Sequence, residues 1–115
     1  MMRINQFEIW LANLNPQKGT EAGKMRPVLV IQTNLLNKIN HPSTLVLPLT
    51  SNLLDSEILR TRIKAKEVEG LEKDSDIMLD QIRAIDNKRF IKKLGVIPKS
   101  KIKTVQENLR IVLDL

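Results

Sequence analysis

The sequence predicts a mainly β domain, a small barrel carrying one helix at its C-terminus. Three observations lead there: several short apolar or alternating runs of strand length, turn residues between them, and one stretch of helical periodicity at the end of the chain. The 115 residues suit a single domain spanning 1–115, and no internal repeat or Pro/Gly/Ser-rich linker divides them.

The elements follow in order. Residues 7–14 read F-E-I-W-L-A-N-L, apolar on both faces, which predicts a strand inside a curled sheet. Asn15-Pro16 ends it, and Gly19 and Gly23 loosen the polar loop that runs to Lys24. Residues 27–31 (P-V-L-V-I) form a β-branched run, with proline at the strand's first position, where no ladder bond is lost. Residues 34–38 predict a short helix capped by Asn34. Residues 44–49 (T-L-V-L-P-L) predict another buried strand, and 58–63 alternate as I-L-R-T-R-I, a strand with one wet side. Shorter strands are expected at 77–79, 82–85 and 93–97. Ser100 is the expected cap of the final helix, whose Ile102, Val105, Leu109, Val112 and Leu113 recur at helical spacing.

Composition narrows the function. Nineteen Lys+Arg against thirteen Asp+Glu give a net charge of +6, which favours a polyanionic partner. Seven basic residues and no acidic one lie between Lys88 and Lys103, a solvated face or a tract for phosphates. Three aromatic residues, Phe7, Trp10 and Phe90, are too few for a row of base-stacking rings. The absence of cysteine excludes disulfides, thiolate metal sites and a cysteine nucleophile. One histidine, His41, excludes a two-histidine acid–base pair within one chain, and its place before Pro42 reads as a loop residue. The acidic residues form no obvious metal-ligand pattern, so neither metal nor cofactor is expected. No signal peptide or membrane-length apolar run is present, so a soluble, cytoplasmic protein is the expectation.

The residues that stand out lie at strand ends. Arg26 precedes Pro27, which keeps Arg26 out of the helical region and sets a guanidinium at the mouth of a strand. Its fork of donors suits a phosphate, although an ordinary surface arginine has the same spacing. Thr50 and Ser51 follow the strand at 44–49, where two hydroxyls either donate to a phosphate oxygen or cap a turn. Asp80, Gln81 and Arg83 fall between two short strands, positioned for bases or phosphates or for a structural ion pair.

Taken together, these segments resemble one family. E-I-W-L-A-N-L-N-P-Q-K-G-T-E-A-G-K-M-R-P-V-L-V-I (8–31) looks like the opening of the MazF/PemK/Kid toxins, and L-V-L-P-L-T-S (45–51) looks like their second motif. G-L-E-K-D-S-D-I-M-L-D-Q-I-R-A-I-D (70–86) is similar to the third, and L-G-V-I-P…L (94–113) to the closing strand and helix. The resemblance implies an SH3-like β-barrel (PemK/CcdB-like) with a C-terminal helix, a homodimer, and an acidic antitoxin that blocks the basic groove. It implies a toxin of a type II toxin–antitoxin system that cuts single-stranded RNA, messenger RNA included, at short preferred sequences. The expected chemistry is metal-independent: the ribose 2′-OH attacks the adjacent phosphate, leaving a 2′,3′-cyclic phosphate and a 5′-OH end. Carried over by position, Arg26 and Thr50 match the catalytic residues. Lys18, Thr20, Glu21 and Lys24 lie in the loop that shapes the RNA groove, and Ser51, Asp80, Gln81 and Arg83 in segments that contact substrate. Two positions depart: Thr20 stands where some members have histidine, and Met78 where some have a basic residue. The alternative is a CcdB-like poison that binds gyrase without chemistry. That type depends on a C-terminal Trp-Gly-Ile tail, whereas this chain ends Val-Leu-Asp-Leu and has its only tryptophan at position 10.

Overall fold

A computed structural model describes residues 3–20 and 23–115. The elements run β1 (Glu8–Asn13), β2 (Met25–Val30), α1 (Asn34–Asn37), β3 (Ser43–Thr50), β4 (Arg60–Ile63), β5 (Ser75–Met78), β6 (Arg83–Asp86), β7 (Phe90–Val96) and α2 (Lys99–Leu113). The seven strands form one antiparallel sheet in the order β4-β5-β3-β2-β1-β7, with β6 also paired to β3. The architecture is therefore mainly β with a C-terminal helix, as the sequence predicts. The barrel does not close: among the described residues the end strands β4 and β7 are unpaired with each other. At Leu94 of β7 the carbonyl accepts the Gly70 N–H of a loop (2.8 Å), and a Cβ at residue 70 would sit 2.7 Å from that oxygen. Only glycine permits this approach, and it sets loop backbone, not another strand, against β7.

Alternation along the strands builds two core layers, one on each side of the sheet. Trp10, Ala12, Leu14, Val28, Val30, Val46 and Phe90 form one, with Trp10 and Phe90 edge to face at 5.8 Å. Ile9, Leu29, Leu47, Leu49, Ile63, Ile77 and Leu79 form the other, which α2 covers through Val105 with Ile102, Leu109 and Val112. Leu113, assigned to the helix's apolar face by periodicity, is 45% exposed, because the contact stripe has rotated past the core at the last turn.

Helix caps differ from expectation. α1 is capped by Thr33, whose hydroxyl accepts the Leu35 N–H, while Asn34 Oδ1 accepts from Gln6 N and Asn37 Nδ2. α2 begins after Pro98 with no side-chain cap, and Ser100 lies inside its first turn. Strand bounds also shift: β4 starts at Arg60, leaving Ile58 and Leu59 in the preceding loop, and β7 starts at Phe90. No helix among the described residues is long and apolar enough to cross a membrane.

β1 and β7 are tied by a buried carboxylate. Glu8 pairs with Lys93 (2.9 Å) and accepts from Trp10 Nε1 (3.0 Å) and the Asn5 amide (2.8 Å). Burial by itself would raise its pKa, but these three partners outweigh it and hold the carboxyl below the usual range. A folded pKa below the unfolded one stabilises the fold above about pH 4.3, and that stability is lost as pH falls through the folded value. Urea midpoints across pH should therefore show Glu8→Gln less stable at pH 7, with a flatter acid limb between about pH 5 and 3; parallel acid limbs would mean that Glu8 contributes nothing through its charge. Leu47→Ala, at a fully buried site, should cost about 2–5 kcal/mol in the same measurement without a change in slope.

Candidate active site

A cleft of about 520 Å³ opens where β2 begins and β3 ends, between the sheet and the loop at 70–75. Arg26 of β2 and Thr50 of β3 both line it. Their juxtaposition follows from register: Val28 pairs Pro48, and continuing two residues along each antiparallel strand sets Arg26 opposite Thr50. The proline after Arg26 lies in the strand opposite Leu11, so the extended backbone expected at an X-Pro position is what the sheet uses.

The guanidinium is fixed by backbone. Arg26 Nε donates to Gly23 O (2.6 Å) and one terminal nitrogen donates to Leu49 O (3.5 Å). Those carbonyls take Nε and one terminal nitrogen; among the described residues the remaining N–H groups have no protein acceptor. Thr50 Oγ1 accepts the Asn52 N–H (3.1 Å), closing the turn that sequence reasoning offered as the plain alternative. Accepting that bond leaves the hydroxyl proton available to donate, so the turn and a phosphate contact are compatible. Ser51 lines the cleft beside it.

Charge in the cleft is lopsided. Among the described residues Lys24, Arg26, Lys73 and Lys92 line it against one carboxylate, Glu72. Such a surface, half-open and cationic, favours an extended anion. Lys24 is held at its entrance with φ +69°, its N–H donating to Asn15 Oδ1 and its carbonyl accepting the Leu14 N–H. Arg89 clasps the start of the same loop, donating to the carbonyls of Asn13 and Asn15.

The other sequence-predicted residues lie elsewhere. Lys18 and Thr20 are exposed in the loop after β1 and do not line the cleft. The Thr20 carbonyl accepts from Gln81 Nε2 (3.2 Å), so this loop and the turn at Leu79–Gln81 meet in a second polar group. Asp80 is exposed in that turn, and Arg83 is half-buried on β6 opposite Val46. Glu21 lies outside the described residues. His41 Nδ1 lies 2.9 Å from Ser43 O, and its own carbonyl accepts from Asn87 Nδ2, which makes it a loop brace.

Sequence reasoning did not single out Asn52, Glu72, Lys73 or Lys92. The basic run 88–103 contained a signal for Lys92, but its place in the cleft depends on β7 pairing with β1, where Lys92 falls opposite Leu11. Among the described residues no three His, Asp or Glu side chains gather into a cation site.

The fold has known relatives. The model of PemK-like, MazF-like toxins of type II toxin–antitoxin systems matches residues 5–113. MazF from Deinococcus radiodurans superposes with a TM-score of 0.85 at 21% identity, covering 100% of both chains. The Mycobacterium tuberculosis toxin MazF-mt6 gives 0.77 at 21% identity, covering 94% of this chain and 97% of that one. A mycobacterial endoribonuclease solved with its cognate antitoxin gives 0.78 at 12% identity, over 97% and 96%. At these identities the structures show the fold alone; the family match spans almost the whole chain, which therefore belongs to the PemK-like, MazF-like toxins of type II toxin–antitoxin systems.

Proposed function

We propose that this toxin is a sequence-selective endoribonuclease for single-stranded RNA, with messenger RNA as a target, and that it works without a metal ion. The observation that carries the reading is the Arg26–Thr50 pair at the mouth of a cationic cleft. The ribose 2′-oxygen attacks the adjacent phosphorus, the P–O5′ bond breaks, and a 2′,3′-cyclic phosphate and a 5′-OH remain. The 2′-OH proton goes to a base, and the leaving O5′ takes a proton. The substrate supplies the nucleophile, so the protein's task is positioning, proton transfer and stabilisation of the added negative charge.

Arg26 suits that charge because its backbone ties hold the guanidinium still while the rest of the fork stays open. Thr50 donates its free proton to a non-bridging oxygen. Two carboxylates are base candidates: Glu21, by its place in the resemblance, and Glu72, which lines the cleft. Lys24, Lys73 and Lys92 bind flanking phosphates, with Ser51 beside them. Thr20, Lys18, Asp80, Gln81 and Arg83, on the adjoining polar group, contact bases further along the strand.

The protein acts as a homodimer in the cytoplasm and is neutralised by an acidic antitoxin. A structure carrying MazE with MazF from Deinococcus radiodurans has the same fold at a TM-score of 0.75, which supports such a partner. The apolar Leu53, Leu54, Ile58 and Leu59, each more than 40% exposed, offer surface for a partner to cover. The gyrase-poison alternative has no observation in its favour.

The test is incubation of purified protein with a long synthetic RNA in excess EDTA, with product ends mapped. Discrete cuts leaving 5′-OH ends are expected; no cleavage by folded protein across varied RNAs would sink the reading and leave binding alone. Arg26→Ala should fold and lose about 10²–10³-fold in kcat, and Thr50→Val a similar or smaller factor. For binding of an uncleavable 2′-deoxy strand, log Kd against log salt should lose about 0.7 of slope for each of Lys73→Ala and Lys92→Ala; unchanged slopes would remove those lysines from the phosphate path.

A further inference from the structure

Between β3 and β4 the segment 51–59 has neither strand nor helix. Its Leu53, Leu54, Ile58 and Leu59 are exposed, so burial does not hold it. Polar ties do. Thr50 Oγ1 accepts the Asn52 N–H, Arg60 donates to the Asn52 carbonyl (3.4 Å), and Arg62 pairs with Asp55 (3.0 Å). The Leu54 N–H donates to Asp76 Oδ2 (2.7 Å), and Asn108 of α2 donates to Glu57 O (3.0 Å).

Three of these ties, those made by Leu54, Arg60 and Arg62, converge on Asp76. It is fully buried on β5 and stands opposite Thr50 in the β3–β5 register. Its Oδ1 accepts from Arg62 Nε (2.9 Å), and its Oδ2 from Arg62's terminal nitrogen (3.4 Å), with Arg60 at 3.9 Å. Burial would raise its pKa; the hydrogen bonds from Arg62 and Leu54 and the two arginine charges overcome this and keep it ionised at neutral pH. A buried charge is retained only through its partners. Joining β4 to β5 does not need it, since those strands already pair along Arg60–Ile63. What Asp76 and Arg60 add beyond that ladder is the grip on Leu54 and Asn52, residues of the loop.

We propose that Asp76, with Arg60 and Arg62, is a positioning cluster that holds 51–59 as a preformed wall at the mouth of the Arg26–Thr50 cleft and so sets which RNA sequences are accepted. This rests on the endoribonuclease reading for its consequence, though not for its geometry. Ser51 and Asn52 line the cleft, so a slack segment displaces the groups that meet the nucleotides beside the cut.

The test pairs two variants. Asp76→Val/Arg62→Met removes the central ion pair together, the replacement that commonly preserves a fold where loss of one partner does not. Arg62→Gln, at a half-exposed side chain, is the milder second variant. Amide exchange followed by NMR should show Leu54 exchanging at least about tenfold faster in the double variant, with Leu49 and Ile77 unaltered. In cleavage assays kcat/KM should fall mainly through KM, and mapped ends should spread to sequences the parent leaves intact. Arg62→Gln should do the same with smaller amplitude. Unaltered Leu54 exchange, or an unaltered cleavage pattern in a folded variant with faster exchange, overturns the proposal. If the parent protein cuts no RNA, the endoribonuclease reading fails, and the exchange measurement alone judges the positioning cluster.

Discussion

Strand β3 carries the pairings that place Thr50 and bring Arg26 opposite it. One edge takes β2 through Val46–Pro48; the other takes β6 through Ser43–Val46 and then β5 through Leu49 and Thr50. Leu47 and Pro48 fall between the two registers on that second edge, so the missing proline N–H coincides with the change of partner. Because β3 is held from both sides, its last residue, Thr50, is rigidly placed, and the β2 register brings Arg26 to it. The cleft, the turn at Thr50 and the start of the 51–59 segment all inherit their positions from this strand.

Charge is used in two ways in this chain. Glu8 and Asp76 are buried carboxylates whose every role is local: each is surrounded by donors, and each joins strands or loops that apolar packing alone leaves unspecified. The cleft has the opposite arrangement. Among the described residues Lys24, Arg26, Lys73 and Lys92 face one carboxylate, and Arg26 is anchored on carbonyls with no acid paired to it. An anchored, unneutralised cation is suited to a ligand's charge because little reorganisation accompanies binding.

Local signals were read well where one interaction decides and poorly where two compete. The apolar runs at 27–31 and 44–49 give strands, β2 to Val30 and β3 to Thr50, because Val28–Val30 and Val46–Leu49 are buried on both faces. Asn34 and Ser100 are good caps by residue type, yet neither caps. Asn34 is occupied by Gln6, a residue distant in sequence, and α2 starts directly after Pro98, whose ring sets the entry without a side-chain bond. The closing of the barrel failed for a similar reason. Counting strands cannot tell that Gly70 meets β7 as loop backbone.

From sequence alone came the mainly β class and the final helix through periodicity, Arg26 through the X-Pro constraint, Thr50 and Ser51 through their place after a strand, and Lys24 through the family resemblance. Tertiary structure decided which of these meet. It gathered those four at one cleft, placed Thr20 with Gln81 in another group, and added Asn52, Glu72, Lys73 and Lys92, which no local pattern had singled out as individual residues. Register, bulges and loop approach are properties of strand pairs, and a pair is only defined once both partners have found each other.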